Sequence, residues 1–518
     1  MNKPIEHVVI VGGGSAGWLA AGIIAADHQA RAPHGLRVTL IESPDVPPIG
    51  VGEGTWPSMR DTLHRIGVSE SDFFRECDAA FKQGSRFNGW RHGGAADEDY
   101  YFHPFVLPQG YGDTDLVAPW LQRRGDVPFA DLVSFQPHLC VNGRAPKQAG
   151  TPEFAAVANY GYHLDAGKFG VFLRRHCLEK LGVHYVPDHV TAVNSHENGD
   201  IASLQTKEHG ALAGDLFIDC TGMQSLLLGG HYGVPLLHQK HVLFNDSALA
   251  VQVPYEREDS PIASQTTSTA QRAGWIWDIG LPTRRGIGHV YSSAHTDDEQ
   301  AERDLRAYVA ATGGPADMPA PRKLTFQPGY RQQFWHRNVV AIGLSAGFIE
   351  PLEASALALV ELSAAMVSDD LPATRAAMDI VSRRFNEAFT YRWERVIEFL
   401  KLHYVLSGRD DSAYWRDNRS DAAMPERLRE LLTLWRHRPP SRLDFHRIEE
   451  VFPSASWQYV LYGMGFRPDR AHGTRRIEPQ AAEQQFHAAA DLTRRMLRAL
   501  PSNRELLAHI RLHGLPKL

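Results

Sequence analysis

The sequence predicts an α/β fold with a mainly helical C-terminal portion. Three observations predict it: a strand, glycine turn, helix and strand at the start; two later apolar strands that each run into a glycine turn; and loss of strand pattern after about residue 370. His7–Val11 (HVVIV) has the unbroken apolar run of a buried parallel strand. Gly12 to Gly17 is a glycine-rich turn, Trp18 to Ala26 a helix and Arg37–Glu42 (RVTLIE) a second strand, which together make a βαβ opening. Leu216–Cys220 and Val339–Ile342 read as further strands of the same sheet, visited in the middle and later part of the chain. Arg375–Ser407 and Ala481–Leu500 are helical in pattern, and RPPSRL (Arg438–Leu443) is a connector. The expected division is a core over residues 1–370 and a helical region over 371–518 packed on it.

The 518 residues are 22% charged and 43% hydrophobic, an ordinary globular composition. A net charge of −6 carries no electrostatic footprint for nucleic acid. The four cysteines (Cys77, Cys140, Cys177, Cys220) form no CxxC pair, which argues against a zinc site or disulfide framework and fits a reducing cytoplasm. The apolar stretch Val8–Ala26 contains a glycine cluster and follows the acidic Glu6, unlike a secretory leader. No run reaches the roughly 18 uninterrupted apolar residues of a membrane span. A cytoplasmic protein with no metal, nucleic-acid or membrane partner is expected; the oligomeric state is not readable.

Gly12-Gly13-Gly14-Ser15-Ala16-Gly17 satisfies GxGxxG between a strand and a helix. Its glycines permit a tight turn and close approach to a pyrophosphate, which the helix N-terminus then faces. Glu42 ends the next strand, placed to accept from a ribose hydroxyl. The motif therefore predicts a Rossmann-type dinucleotide site. The loop Ile49–Thr55, with Gly50, Val51, Gly52 and Glu53, follows soon after; Asp219-Cys220-Thr221-Gly222 closes one later strand and Gly343-Leu344-Ser345 another. A late strand ending in a glycine turn suits FAD. With no second GxGxxG, reducing equivalents arrive as reduced flavin or from a nicotinamide bound without a Rossmann site.

Several segments, in order along most of the chain, together resemble the flavin-dependent tryptophan halogenase family. They are VIVGGGSAGWLAA, IGVGEGTWPS from Ile49, AFKQGSRFNGW (Ala80–Trp90), FIDCTGM (Phe217–Met223), GWIWDIGL (Gly274–Leu281), AIGLSAGFIEPLEASA (Ala341–Ala356) and HYVLSGRDDSAYW (His403–Trp415). GWIWDIGL resembles the family's WxWxIP signature through Trp275, Trp277 and Ile279, with Gly280 where the proline is usual. The usual PLESTG ends here in Ala354-Ser355-Ala356. The Tyr- and Glu-rich segment that clamps free tryptophan is not found before Trp457, where FHRIEEVFPSASWQY (Phe445–Tyr459) is shorter and different.

The resemblance implies an FAD-binding fold of the flavin monooxygenase type with an added helical substrate region. It implies an enzyme that uses FADH2 from a separate, transiently acting flavin reductase, with O2 and chloride or bromide, to make hypohalous acid. Lys82 matches the family's active-site lysine, which relays that species to an electron-rich, indole-type ring, by hydrogen bonding or as a haloamine. Burial beside Phe81 and Phe87 would disfavour its charged form. Glu353 matches the active-site glutamate. From Val339 to Leu362 the only charged side chains are Glu350, Glu353 and Glu361, and a carboxylate in so apolar a run needs a reason to be buried. Pro351 is expected at the first helical position and Glu353 in the first turn. The amides of Ser355 and Ala356 then lie where a halide would bind. Trp275 and Trp277 alternate as on a strand, and the resemblance has them separate substrate from flavin, which suppresses hydroxylation. His103, Phe105 and Trp457 match substrate-side aromatics.

The alternative is an FAD-dependent aromatic hydroxylase, which shares this fold but typically carries Gly-Asp where Gly343-Leu344 stands. A non-catalytic flavin-binding protein is a further rival, countered by the presence of both Lys82 and Glu353.

Overall fold

A computed structural model describes residues 4–46, 52–95, 97–123, 125–315, 317–445, 447, 450–469 and 479–517. Strand β1 (His7–Val11), helix α1 (Ser15–Asp27) and strand β2 (Arg37–Glu42) open the chain. Then come β3 (Ala80–Lys82), β4 (Gly84–Asn88), β5 (Tyr100–Pro104), β6 (Gly161–Asp165), β7 (His184–Pro187) and β8 (Leu216–Asp219). A second run holds β9 (Ser247–Pro254), β10 (Thr266–Gln271), β11 (Gly274–Gly280), β12 (Arg284–Tyr291) and β13 (Arg322–Thr325). Strands β14 (Trp335–His336) and β15 (Val339–Ala341) precede helices α2 (Ser355–Asp369), α3 (Arg375–Val405) and α4 (Ser454–Gly463).

The chain forms two compact units, each built from three segments. The first comprises Met1–Ala79, Leu164–Gln239 and Gln327–Trp393. Its six-stranded sheet has the order β14-β15-β8-β1-β2-β7, parallel throughout except for the edge strand β14. All five residues of β1 are buried, as expected of a central parallel strand covered on both faces. The register Val11↔Ile41, Val11↔Asp219 and Asp219↔Ala341 brings the carboxyl ends of four strands to one edge, the place where open α/β sheets bind ligands.

The second unit comprises Ala80–His163, Lys240–Phe326 and Glu394–Leu518. Its seven-stranded sheet runs β13-β9-β12-β11-β10-β4-β5, antiparallel except where β4 lies parallel to β10. Beneath it Leu249, Val251, Val253, Ile276 and Ile287 form a buried cluster with Leu305 and Val309 of the helix Asp298–Ala311.

The βαβ opening, both later strands and the two long C-terminal helices are present, and among the described residues no strand follows Phe348. The division at residue 370 is corrected. The units interleave, and the change from one to the other falls inside α3, between Trp393 and Glu394. Reading texture along the chain assumes contiguous domains, whereas the second sheet draws strands from segments more than 150 residues apart, such as β4 and β9 to β13.

Candidate active site

In the first unit the glycine turn is closely packed on every side but one. Gly12 has φ +109°, and a Cβ there would stand 2.3 Å from the Cys220 carbonyl oxygen. A Cβ on Gly13 would lie 2.1 Å from the Glu42 carboxyl carbon, and one on Gly17 1.9 Å from the Gly12 carbonyl oxygen. Gly14 alone faces open space. Helix α1 begins there with no side-chain cap and no acidic residue in its first turn, so its positive end meets no anion of its own. These residues fit a pyrophosphate. We expect Gly12→Ala to weaken FAD binding by at least about tenfold, since strain and overlap together cost a few kcal/mol; titration of flavin fluorescence measures it.

Glu42 accepts from the Tyr185 hydroxyl at 3.1 Å, with Arg174 at 4.0 Å. Burial pushes its carboxyl up from the usual value, and the Tyr185 bond and Arg174 charge oppose that. Asp219 is fully buried, and one carboxylate oxygen accepts from the amide and hydroxyl of Thr221, the other from the amides of Leu227 and Leu228. It shapes the turn after β8. Gly343 and Leu344 form a 3₁₀ turn after β15, where a Cβ on Gly343 would press to 2.8 Å from the Ala16 methyl. Gly50 and Val51 lie outside the described residues. Gly52 and Glu53 sit in the short strand Gly52–Gly54, and desolvation raises the Glu53 carboxyl to about 7.

Glu350, Glu353 and Glu361 are all buried. Glu361 accepts from the hydroxyls of Ser58 (3.3 Å) and Thr62 (2.6 Å), and burial lifts it to about 8 despite those bonds. Glu353 is not in the first helical turn as expected: α2 begins only at Ser355, and Leu352–Ala354 is a separate 3₁₀ turn. Two consecutive non-glycine residues there, Glu353 (φ 62°) and Ala354 (φ 55°), occupy the left-handed region. Such conformations persist only where the surroundings impose them. One anchor is the indole N–H of Trp56, which donates to the Glu353 carbonyl at 2.7 Å. Trp56 thus anchors the glutamate segment, a role not foreseen for it. The amides of Ser355 and Ala356 open α2, where no carbonyl four residues earlier in the helix is available to them.

In the second unit Lys82 ends β3, which pairs with β6 as Ala80↔His163, Phe81↔Tyr162 and Lys82↔Gly161. Lys82 is fully buried and its ammonium lies 5.5 Å from the Phe105 ring centre. The expected flanking by Phe81 and Phe87 is corrected. Phe81 alternates to the opposite face of the strand and packs edge-on against Tyr160 at 5.0 Å. Phe87 stacks on Tyr101 at 4.7 Å. Between them Gly84 (φ +144°) lets β4 approach β5 so closely that a Cβ would stand 2.5 Å from the His103 carbonyl.

Phe105 is held through its backbone. Its amide donates to the side-chain oxygen of the fully buried Gln136 at 2.8 Å, and its carbonyl accepts from Asn159 at 3.0 Å. No sequence pattern marked these two residues. His103 and Trp457 both face Phe399, at 5.5 and 5.0 Å between ring centres, and Phe399 stacks on Phe452 at 3.8 Å. Trp457 is buried, donates to the Phe452 carbonyl at 3.1 Å, and packs on Trp435 and Phe445.

Trp275 and Trp277 share a face of β11, 6.4 Å apart and edge to face, and Ile279 is buried two residues on. On β12, Gly288 stands opposite Trp277 and Gly286 opposite Ile279, while Val290 stands opposite Trp275. A Cβ on Gly288 would lie 2.1 Å from the Trp277 ring, so that ring rests directly on backbone. Gly288→Ala is expected to displace it and to cost about 1–3 kcal/mol, the usual penalty of overpacking, measurable by denaturant unfolding.

A parallel sheet with a glycine-rich turn and an acidic second strand end defines a nucleotide-dependent α/β protein. The tryptophan halogenase family model matches residues 7–480, and the chain belongs to that family. It resembles the crystal structure of a tryptophan halogenase from Shewanella frigidimarina NCIMB 400, with TM-score 0.96 and 50% identity over 100% of this chain and 99% of that one. Tar14, a tryptophan C-6 flavin-dependent halogenase (chlorinase) from taromycin biosynthesis, superposes with TM-score 0.90 and 33% identity over 98% and 100% of the two chains. The 7-chloro-L-tryptophan 6-halogenase KtzR of Kutzneria sp. (strain 744) is 33% identical over 97% of this chain and 99% of its own. The hydroxylase alternative is not favoured. Among the described residues no helix is long and apolar enough to cross a membrane, and no His, Cys, Asp and Glu cluster could hold a metal.

Proposed function

We propose that the protein is an FADH2-dependent halogenase of indole-type rings, supplied with reduced flavin by a separate reductase. The observation that carries this reading is Lys82, fully buried over the Phe105 ring in the unit that also holds the aromatic cluster of His103, Phe399 and Trp457. When bound, reduced FAD supplies hypohalous acid from O2 and chloride or bromide. The turn from Gly12 to Gly17 and the N-terminus of α1 hold the pyrophosphate, and Glu42 the ribose. The amides of Ser355 and Ala356 hold the halide. Trp275 and Trp277 keep the substrate from the flavin. Lys82 delivers the halogen by hydrogen bond or as an N–halogen adduct. Glu353 orients hypohalous acid or takes the proton that the ring loses when the carbon–halogen bond forms.

Among the described residues, several charges on the segments that carry the aromatic cluster have partners within the chain. Buried Glu398 bonds Arg395 at 2.7 Å and Arg427 at 2.5 Å, Asp444 pairs with Arg438, and the Glu450 carboxylate accepts from the Arg447 amide at 3.3 Å. Glu449 lies outside the described residues. A zwitterionic head entering here needs partners, because unpaired buried charge is heavily penalised. Free tryptophan is therefore expected to be a poorer substrate than indole. Competing assays of indole and tryptophan with each halide test this; a higher kcat/KM for tryptophan would show that the head finds its partners elsewhere.

A further inference from the structure

His163 stands opposite Ala80 on β6, two residues from the partner of Lys82, so the two side chains are diagonal neighbours on one face of the strand pair. Both are fully buried. The His163 Nε2 is hydrogen-bonded to the Thr266 hydroxyl on β10 at 2.9 Å. Its Nδ1 is buried without a hydrogen bond of good geometry, and the Gly280 backbone lies close to the ring. A buried ring nitrogen so weakly satisfied is costly unless a ligand or a moving group uses it.

We propose that His163 is a positioning residue for Lys82: a neutral imidazole, clamped by Thr266, that offers a second polar contact on the lysine's face. Burial holds the ring well below its ordinary pKa, the Lys82 charge lowers it further, and the nearby Gly280 carbonyl opposes both. The ring is therefore uncharged at neutral pH. Gly280 ends the two-tryptophan strand, so the imidazole sits between the lysine segment and that motif. His163 also explains why the GYHLD strand carries a histidine at a position where a buried strand would ordinarily carry an apolar residue.

This inference rests on Lys82 as the relay. Steady-state halogenation with reductase, FAD, NADH and bromide is compared for wild type, Lys82→Ala, His163→Phe, His163→Gln and Thr266→Val. His163→Phe is expected to lower kcat at least about tenfold, the scale of one lost buried hydrogen bond, with KM unchanged. His163→Gln, which keeps a polar contact, recovers activity to within about threefold of wild type. Thr266→Val removes only the clamp and falls between the two. A His163→Phe variant at wild-type kcat alongside an inactive Lys82→Ala overturns the inference and leaves the relay intact. Equal losses in His163→Phe and His163→Gln with Thr266→Val unimpaired also overturn it, assigning the ring to packing. An active Lys82→Ala would instead overturn the relay itself.

Discussion

Lys82→Ala is expected to abolish halogenation, by at least about 10³-fold, while FAD binding and oxidation of reduced flavin by oxygen persist. The separation follows from position. Lys82 ends a strand of the second unit, whereas the glycine turn, Glu42 and the Gly343 turn all belong to the first. Lysine stems also pack, so alanine alone confounds lost chemistry with lost volume. Lys82→Met keeps an unbranched apolar stem and removes the ammonium; it is expected to be as inactive as the alanine variant and more stable. Product analysis by mass spectrometry, with flavin oxidation followed by absorbance, makes the comparison. Turnover above a few per cent of wild type in Lys82→Met would remove the lysine from the mechanism.

Glu353→Gln is expected to lower kcat by about 10²-fold, the ordinary contribution of a positioned base or orienting carboxylate. Glutamine keeps the shape, and the Trp56 bond goes to the backbone carbonyl of residue 353, so the left-handed turn survives the substitution. That isolates the carboxylate from the conformation. Trp56→Phe makes the complementary change: it leaves the carboxylate and removes the anchor, and a smaller loss of kcat is expected with a lower melting temperature. An unchanged kcat in Glu353→Gln would give the glutamate a purely structural place.

Where local rules apply, the sequence was a good guide. The glycine turn and parallel strands follow from period and punctuation, and β1, α1 and β2 lie where the pattern puts them. Its failures share a cause: contacts made across long sequence separations. The Glu353 turn breaks the helix-start reading because Trp56, almost 300 residues earlier, anchors a conformation that local propensity disfavours. Phe81 was assigned to Lys82 by adjacency, whereas strand alternation sends it to the other face. Gln136 and Asn159 clamp Phe105 from segments without a motif. Gly288 reads as an ordinary strand glycine until β12 is placed beside β11 and the Trp277 ring is found lying on it. The two-unit division escaped for the same reason, since three separated segments build each unit.

Incubation of the purified protein with FAD, NADH and bromide, with and without an added flavin reductase and with indole as substrate, separates halogenation from hydroxylation in one experiment. Mass spectrometry should find brominated indole only when the reductase is present, and NADH should not be consumed without it. Hydroxylated indole, or rapid NADH or NADPH oxidation by the protein alone, would contradict the halogenase reading.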